Sequence, residues 1–455
     1  MSAVCFFVQR HLCALRVYRQ PAAWKILPSH ASETMKTGFF NVLDVQSFID
    51  RLRGFDHLPA LQTPLDEAHG CVLAAPVVSP EDLPAADRSC MDGYAVRAAD
   101  LFGTTEGNPA YLECTGTVSI ERPADFSIAA GECAAIVTGA LLPRGADAVV
   151  MVEHTQEMGA GTVEIRKSVA PHEHVMLRGE DAVQGQPALT AGTLLRAQEI
   201  GLLAALGVQT VHVHRRPRVG IFSTGDEVIP AHATPRPGQV RDVNSHALQA
   251  MARAAGAAVT CYGIVPDDEK ALTAMLARTT AENDMVLLSG GSSVGTRDLT
   301  MAALDSLDGA AVINHGVAIS PGKPLILASA DGKGQRCAVW GLPGQVTSAQ
   351  VVMFVLGIPF VHWLAGRRTP FDQSAWASRR AVLARNIASR QGREDYIRVR
   401  LHAEEDGRVT ATPVTGKSGL LRTMLQAHGV VRIPAHSEGL DSGTQVDVLL
   451  FGGGY

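Results

Sequence analysis

Three loops near the middle of this 455-residue chain hold side chains suited to chemistry on a phosphate. One, Ser223-Thr224-Gly225-Asp226-Glu227, sets two small hydroxyl residues and a glycine before two carboxylates. Another, Ser289-Gly290-Gly291-Ser292-Ser293-Val294-Gly295-Thr296-Arg297-Asp298, is glycine-rich and runs into a helix start. Backbone N–H groups in such a loop can approach a phosphate closely, and the dipole at the helix N-terminus favours its charge. Neither the dinucleotide fingerprint nor the Walker spacing is present. The third, Ile264-Val265-Pro266-Asp267-Asp268, adds carboxylates. Converging carboxylates repel a phosphate unless a divalent cation lies between them, so Glu227, Asp267 and Asp298 together point to Mg²⁺. Any one of them alone is explained as a helix N-cap. Three at strand ends around a glycine-rich loop favour function.

The elements that must position these loops follow from the text around them. Val219 to Phe222, Ala257 to Ile264, Met285 to Leu288 and Ala338 to Gly341 read as strands. Ser245 to Ala255 and Lys270 to Thr280 between them read as helices. Alternation of this kind predicts a doubly wound α/β domain over 216–366, with a parallel sheet covered on both faces and ligands at the carboxyl ends of its strands. Val42, Val45, Phe48, Ile49 and Leu52 keep a helical period within 41–53. That helix, with a second over Glu199 to Gly207, places 36–75 and 176–215 in a helical or linker unit. Short apolar runs broken by Gly and Pro make 76–175 a β-rich domain, and 371–455, after the linker Arg367 to Pro370, a C-terminal β domain.

A formal charge of -5 gives the chain no overall basic face, which argues against nucleic acid as a partner. The longest apolar run, Ala349 to Gly366, contains Pro359 and His362 and is short for a membrane span, so it reads as a buried helix. The eight cysteines show no close pairing, which fits a reducing, cytoplasmic setting. His212 with His214 and His172 with His174 are better explained by solvent exposure than by metal. Residues 1–34 carry Arg10, Arg16, Arg19 and Lys25 with no acid before Glu33. They form an N-terminal extension, read as a disordered tail or an untranslated leader ahead of Met35, with a targeting peptide as the alternative.

Three further clusters lie outside the α/β domain. Asp87-Arg88-Ser89-Cys90-Met91-Asp92-Gly93-Tyr94-Ala95-Val96-Arg97 is explained by itself as an Asp-Gly hairpin. Thr138-Gly139-Ala140 and Arg178-Gly179-Glu180-Asp181, taken alone, are turns with solvated charges.

Together, Ser89 to Arg97, Thr138 to Ala140 with Gly145 to Val150, Ser223 to Glu227, Ser289 to Asp298 and Leu342-Pro343-Gly344 resemble the molybdopterin molybdenumtransferase family, MoeA, which is similar to the E domain of gephyrin. The motifs run in family order from about Gly38 to the C-terminus. The resemblance implies an elongated homodimer of four-domain subunits, with the active site in a cleft shared between them. It implies a Mg²⁺-dependent transferase that takes adenylylated molybdopterin and molybdate, releases AMP and yields molybdenum cofactor. It also implies transient contact with molybdopterin adenylyltransferase and with client molybdoenzymes.

Carried over residue by residue, the resemblance makes Asp92, Thr138, Asp181, Glu227 and Asp298 catalytic, and Asp267, Asp298 and Glu227 metal ligands. Cofactor binding falls to Ser223, Thr224, Gly225, Ser289, Gly290, Gly291, Ser292, Gly295, Lys323, Pro343, Gly344, Arg393 and Ser418. The chain departs from the family at Ser320 and Gly316, where basic residues are usual, and at Gln345, Val346 and Thr347, where Asn-Pro-Val is usual. A charge-assisted contact to phosphate contributes about 1.5–3 kcal/mol, so these losses bear on activity. They also motivate a second reading, a diverged paralogue that binds or delivers the cofactor without turnover. The retained acids favour the active enzyme.

Overall fold

The structure, a computed structural model, describes residues 42–290, 294–332, 334–417 and 419–452, with backbone only over 294–298. Period-two alternation builds its central sheet. Val219 and Ile221 face one core and Phe222 the other. Met285 and Leu287 against Val286 and Leu288, and Ala338 and Trp340 against Cys337 and Val339, repeat the pattern on neighbouring strands. Strands apolar on both sides need cover on both. Helix Asn244–Ala254 and the apolar helix starting at Val346 supply it on one face, and helices Glu269–Glu282 and Val294–Asp305 on the other.

The strand order is Ala258–Val265, Arg218–Thr224, Met285–Gly290, Arg336–Pro343, Ile326–Asp331 and Ala311–His315. The first four run parallel, as the alternation predicts. Ile326–Asp331 runs antiparallel to both its neighbours, so the sheet is mixed at one edge rather than parallel throughout. The reason is the connection. A parallel neighbour needs a crossover of a dozen or more residues, whereas only 332–335 separate Asp331 from Arg336.

The first helix, Val45–Leu52, opens at Asp44, whose carboxylate accepts from the Ser47 amide at 2.8 Å. Val45, Phe48, Ile49 and Leu52 are buried, and Phe48 meets Trp340 of the central sheet edge to face at 5.9 Å. Val42 shares the apolar period but precedes the cap and is exposed. Val346–Leu364 is a 19-residue helix of mean hydropathy 1.5, long and apolar enough to cross a membrane. It is 67% buried inside the protein, as expected for a core helix. Its turns widen over Met353–Gly357, just before Pro359, whose missing N–H and ring an unbroken α-helix would not accommodate.

Residues 93–165 form a six-stranded sheet in the order Ala148–Met151, Gly93–Val96, Glu132–Ile136, Ala110–Val118, Thr162–Ile165 and Thr155–Gly159. The chain enters and leaves this region through an antiparallel ribbon of Ala60–Pro64 against Thr210–His214. In the C-terminal region Glu394–Ala403, Val409–Pro413, Ser378–Leu383, Gln445–Leu450 and Gly429–Ile433 pair in that order. The last pairs back onto the first, so the strands close into a barrel. Ile319–Ser320 joins the barrel's rim, pairing in parallel with Glu394 and Asp395.

Candidate functional site

The parallel strands all end on one side, and there the register sets Ser223 beside Ser289, Thr224 beside Val265, and Gly290 beside Pro343. Thr224 is buried and donates to the Asp267 carboxylate at 2.7 Å, and the Asp267 amide donates to Asp226 at 3.2 Å. Thr224 also lies against Gly290, because a Cβ there would fall 2.3 Å from the Thr224 methyl carbon. Gly225 has φ +140°, and a Cβ on it would fall 2.8 Å from a Glu227 carboxylate oxygen. Both glycines are therefore demanded by close approach.

The buried Ser223 hydroxyl donates to Asp242 at 3.0 Å and lies 2.9 Å from the Ser245 hydroxyl, whose own amide donates to Asp242 at 3.1 Å. Asn244 donates from one amide nitrogen to the Ser289 hydroxyl at 2.7 Å and to the Gly344 carbonyl at 2.9 Å. The first turn of helix Asn244–Ala254 thus ties three strand ends together. The Asn244 amide oxygen is buried and, among the described residues, has no partner. A buried acceptor left unpaired costs about 1–3 kcal/mol, a cost tolerated where a ligand's donor completes it.

Of the residues expected to act, Ser223, Thr224, Gly225, Glu227, Asp267, Ser289, Gly290, Pro343 and Gly344 come together here. Gly291, Ser292 and Ser418 lie outside the described residues, as does the N-terminal extension 1–34. Gly295 and Asp298 have described backbone in helix Val294–Asp305, but the Asp298 side chain is not among the described parts. Lys323 is exposed in the loop after Ile319–Ser320. Gly322 there has φ +124°, and a Cβ would fall 2.3 Å from a Val352 methyl carbon.

Asp92 and Thr138 form a separate, exposed pair. The Thr138 amide and hydroxyl both donate to one Asp92 carboxylate oxygen, at 2.6 and 2.8 Å. These two bonds hold the Asp92 carboxyl below its usual range. The strand Gly93–Val96 and the turn after Glu132–Ile136 supply the two residues from neighbouring positions in one sheet. Asp181 is exposed, in a loop held by its amide's bond to the Leu83 carbonyl at 2.9 Å. Among the described residues no hydrogen bond or ion pair links Asp92 or Thr138 to the strand-end cluster.

Arg393 is elsewhere again, 2.9 Å from the buried Asp395, which also accepts from Ser389 at 2.7 Å. Ser320 is the register partner of Asp395, so the position where a lysine is usual lies beside a carboxylate already served by Arg393.

The strand-end geometry can hold an anion on backbone amides and small hydroxyls. For Mg²⁺, the relevant observation is the donor set: among the described residues no three carboxylates, histidines or cysteines form a ready-made metal site. Glu227 and Asp267 nonetheless sit on loops leaving adjacent strands. Mg²⁺ binds through one or two carboxylates, substrate phosphate and retained water, and that sparse set fits.

Asn244, Asp242 and Ser245 escaped the sequence reading. Asp242-Val243-Asn244-Ser245 before a helix has the composition of an ordinary N-cap, and only the folded sheet reveals that its side chains point to other strands.

Residues 43–207 match the MoeA N-terminal region (domain I and II), 220–363 a probable molybdopterin binding domain, and 380–451 the MoeA C-terminal region (domain IV). A molybdopterin molybdenumtransferase of Nostoc sp. is 35% identical over 384 residues, covering 84% of this chain and 86% of that protein.

The chain belongs to the MoeA family.

Another MoeA-family relative, molybdopterin molybdenumtransferase 2 of Mycobacterium tuberculosis, is 33% identical over 393 residues, covering 85% of this chain and 94% of its own. Among solved structures, a molybdopterin biosynthesis MoeA protein from Pyrococcus horikoshii OT3 aligns with a TM-score of 0.73 at 27% identity. It covers 90% of this chain and 100% of its own. The multidomain α/β architecture and a place in molybdenum cofactor biosynthesis follow from membership.

Proposed function

We propose that this chain is a molybdopterin molybdenumtransferase that inserts molybdenum from molybdate into adenylylated molybdopterin and releases AMP. The observation that carries the reading is the strand-end cluster, where Thr224 lies against Gly290 and Asn244 bridges Ser289 and Gly344. Backbone amides after Gly290 and the hydroxyls before it receive the substrate phosphate. Glu227, Asp267 and Asp298 are the residues that would hold Mg²⁺, which supplies charge neutralisation between phosphate oxygens. Lys323, Arg393 and Ser418 are the further residues assigned to binding the anionic substrate. Catalysis then rests on positioning and electrostatics rather than on a covalent intermediate.

The separation of Asp92 and Thr138 from the strand ends within one chain supports a homodimer whose cleft takes Asp92, Thr138 and Asp181 from one subunit and the strand ends from its partner. Acting on a small pterin, with transient contacts to the preceding adenylyltransferase and to client enzymes, it works in the cytoplasm.

The test uses purified protein with adenylylated molybdopterin, molybdate and Mg²⁺, following AMP release and reconstitution of a cofactor-free molybdoenzyme. Asp92→Ala and Asp298→Ala each abolish both signals. Co-refolding the two inactive variants returns up to about a quarter of wild-type activity, since half the dimers are mixed and each mixed dimer has one intact site. Absence of recovery, with each variant folded and dimeric, sinks the shared cleft. Tight pterin binding by wild-type protein without AMP release sinks turnover and leaves a carrier.

A further inference from the structure

Away from the strand ends, a cavity of about 480 Å³ lies where three parts of the chain meet. Gly192 and Leu194 come from the segment after the β-rich region, Phe354, Ile358, Pro359 and His362 from the long apolar helix, and Trp376 and Leu450 from the barrel. Arg367 and Arg368, from the connection between helix and barrel, complete it, and no carboxylate lines it.

Its electrostatics are one-sided. Among the described residues neither Arg367 nor Arg368 forms an ion pair, although the chain's other arginines near acids do so readily, as Arg215 with Asp284 at 2.7 Å. Burial lowers the Arg367 pKa, the mark of a guanidinium partly stripped of water without a counter-charge. Burial first, and the Arg367 charge second, pushes His362 down to about 4, so the imidazole beside it is neutral at ordinary pH. The remaining wall is apolar and partly aromatic: Phe354 and Trp376 meet edge to face at 5.6 Å. Gly192 lets the Arg368 side chain pack closely over it, since a Cβ there would fall 2.8 Å from the Arg368 Nε.

We propose that this cavity is a second ligand site, distinct from the strand-end cluster, that takes a small organic anion with a flat apolar body: an aryl carboxylate whose charge meets Arg367 while its ring lies against the apolar wall of Trp376, Phe354 and Ile358. A carboxylate matches the planar fork of a guanidinium, and a partly desolvated arginine gains most from such a partner. A cavity of this size accepts a one- or two-ring ligand. Because its walls belong to the helix, the linker and the barrel at once, the ligand would fasten the barrel against the α/β domain.

The experiment titrates full-length protein with naphthalene-2-carboxylate and, separately, with its neutral counterpart naphthalene-2-methanol, reading binding by calorimetry and by quenching of tryptophan emission. The carboxylate should bind at least tenfold more tightly than the alcohol, and Arg367→Gln should remove that advantage while leaving alcohol binding unchanged. Trp376→Phe should abolish most of the quenching. Equal binding of acid and alcohol to the wild-type protein overturns the proposal without recourse to any variant. No binding of either overturns it too, as does an acid preference that survives in a folded Arg367→Gln protein. The readout is independent of molybdenum transfer, so failure here leaves the proposed activity untouched, and loss of that activity leaves this site standing.

Discussion

The strand-end cluster and the Asp92–Thr138 pair present polar side chains in opposite ways. At the strand ends Ser223, Thr224, Asn244 and Ser289 are buried, and each bonds to a side chain of another segment: Ser223 to Asp242, Thr224 to Asp267, and Asn244 to Ser289. Asp92 and Thr138 stand in solvent and bond to each other at the ends of two neighbouring strands of one sheet. Buried polar groups that lose a partner leave another uncompensated, whereas exposed ones turn to water. Substitutions in the first region should therefore cost stability and activity together, and those in the second activity alone.

The largest effect should come from Gly290→Ala. Its new Cβ meets the Thr224 methyl carbon at 2.3 Å, an overlap that costs about 1–3 kcal/mol in a packed interior. Thr224→Ser removes that methyl while keeping the hydroxyl bonded to Asp267. The double variant should recover most of the loss in denaturant melts, and a strictly additive double variant would mean that the crowding comes from elsewhere.

Next is Asn244→Ala, which leaves the Ser289 hydroxyl and the Gly344 carbonyl without their donor at a cost of about 1–3 kcal/mol. A lowered thermal midpoint together with weaker pterin binding is the expected result. Unchanged stability would erase the contrast between the two regions.

The smallest effect belongs to Thr138→Val, which keeps the amide donor but removes the hydroxyl bond to Asp92. Because the folded Asp92 carboxyl titrates below its unfolded value, its contribution is complete above the ordinary aspartate pKa of about 3.9 and disappears as pH falls through the lower folded value. NMR titration should show Asp92 moving up toward the ordinary range in Thr138→Val, with neutral-pH melts close to wild type. A large loss of stability at neutral pH would place this pair in the buried class.

Much of this contrast was open to reading from the residues, and the unreadable part has identifiable physical causes. Val45, Phe48, Ile49 and Leu52 disclose their helix because one buried stripe imposes a period, yet Val42 on the same period is exposed because the Asp44 cap starts the helix after it. The parallel strands were legible from alternating apolar pairs such as Val286 and Leu287. The antiparallel edge was not, since Ile326–Asp331 is buried and largely apolar like the parallel strands of the same sheet, and only the short 332–335 connection sets its direction. Loops carrying glycine beside hydroxyls and acids marked the strand ends. Asn244 stayed hidden, because its partners Ser289 and Gly344 are brought to it by register over long chain separations. Closure of the barrel by Gly429–Ile433 onto Glu394–Ala403 is a property of the strands as a set.

The short pairing of Ile319–Ser320 with Glu394–Asp395 acts as a ratchet between two domains. The Lys323 loop continues from one side of that ladder and Arg393 precedes the other, and because alternate residues turn their N–H and C=O to opposite sides, a slipped ladder regains its hydrogen bonds only after two residues, roughly 6.6 Å. The two-rung ladder thereby couples the lysine loop to the start of the barrel's long strand Glu394–Ala403.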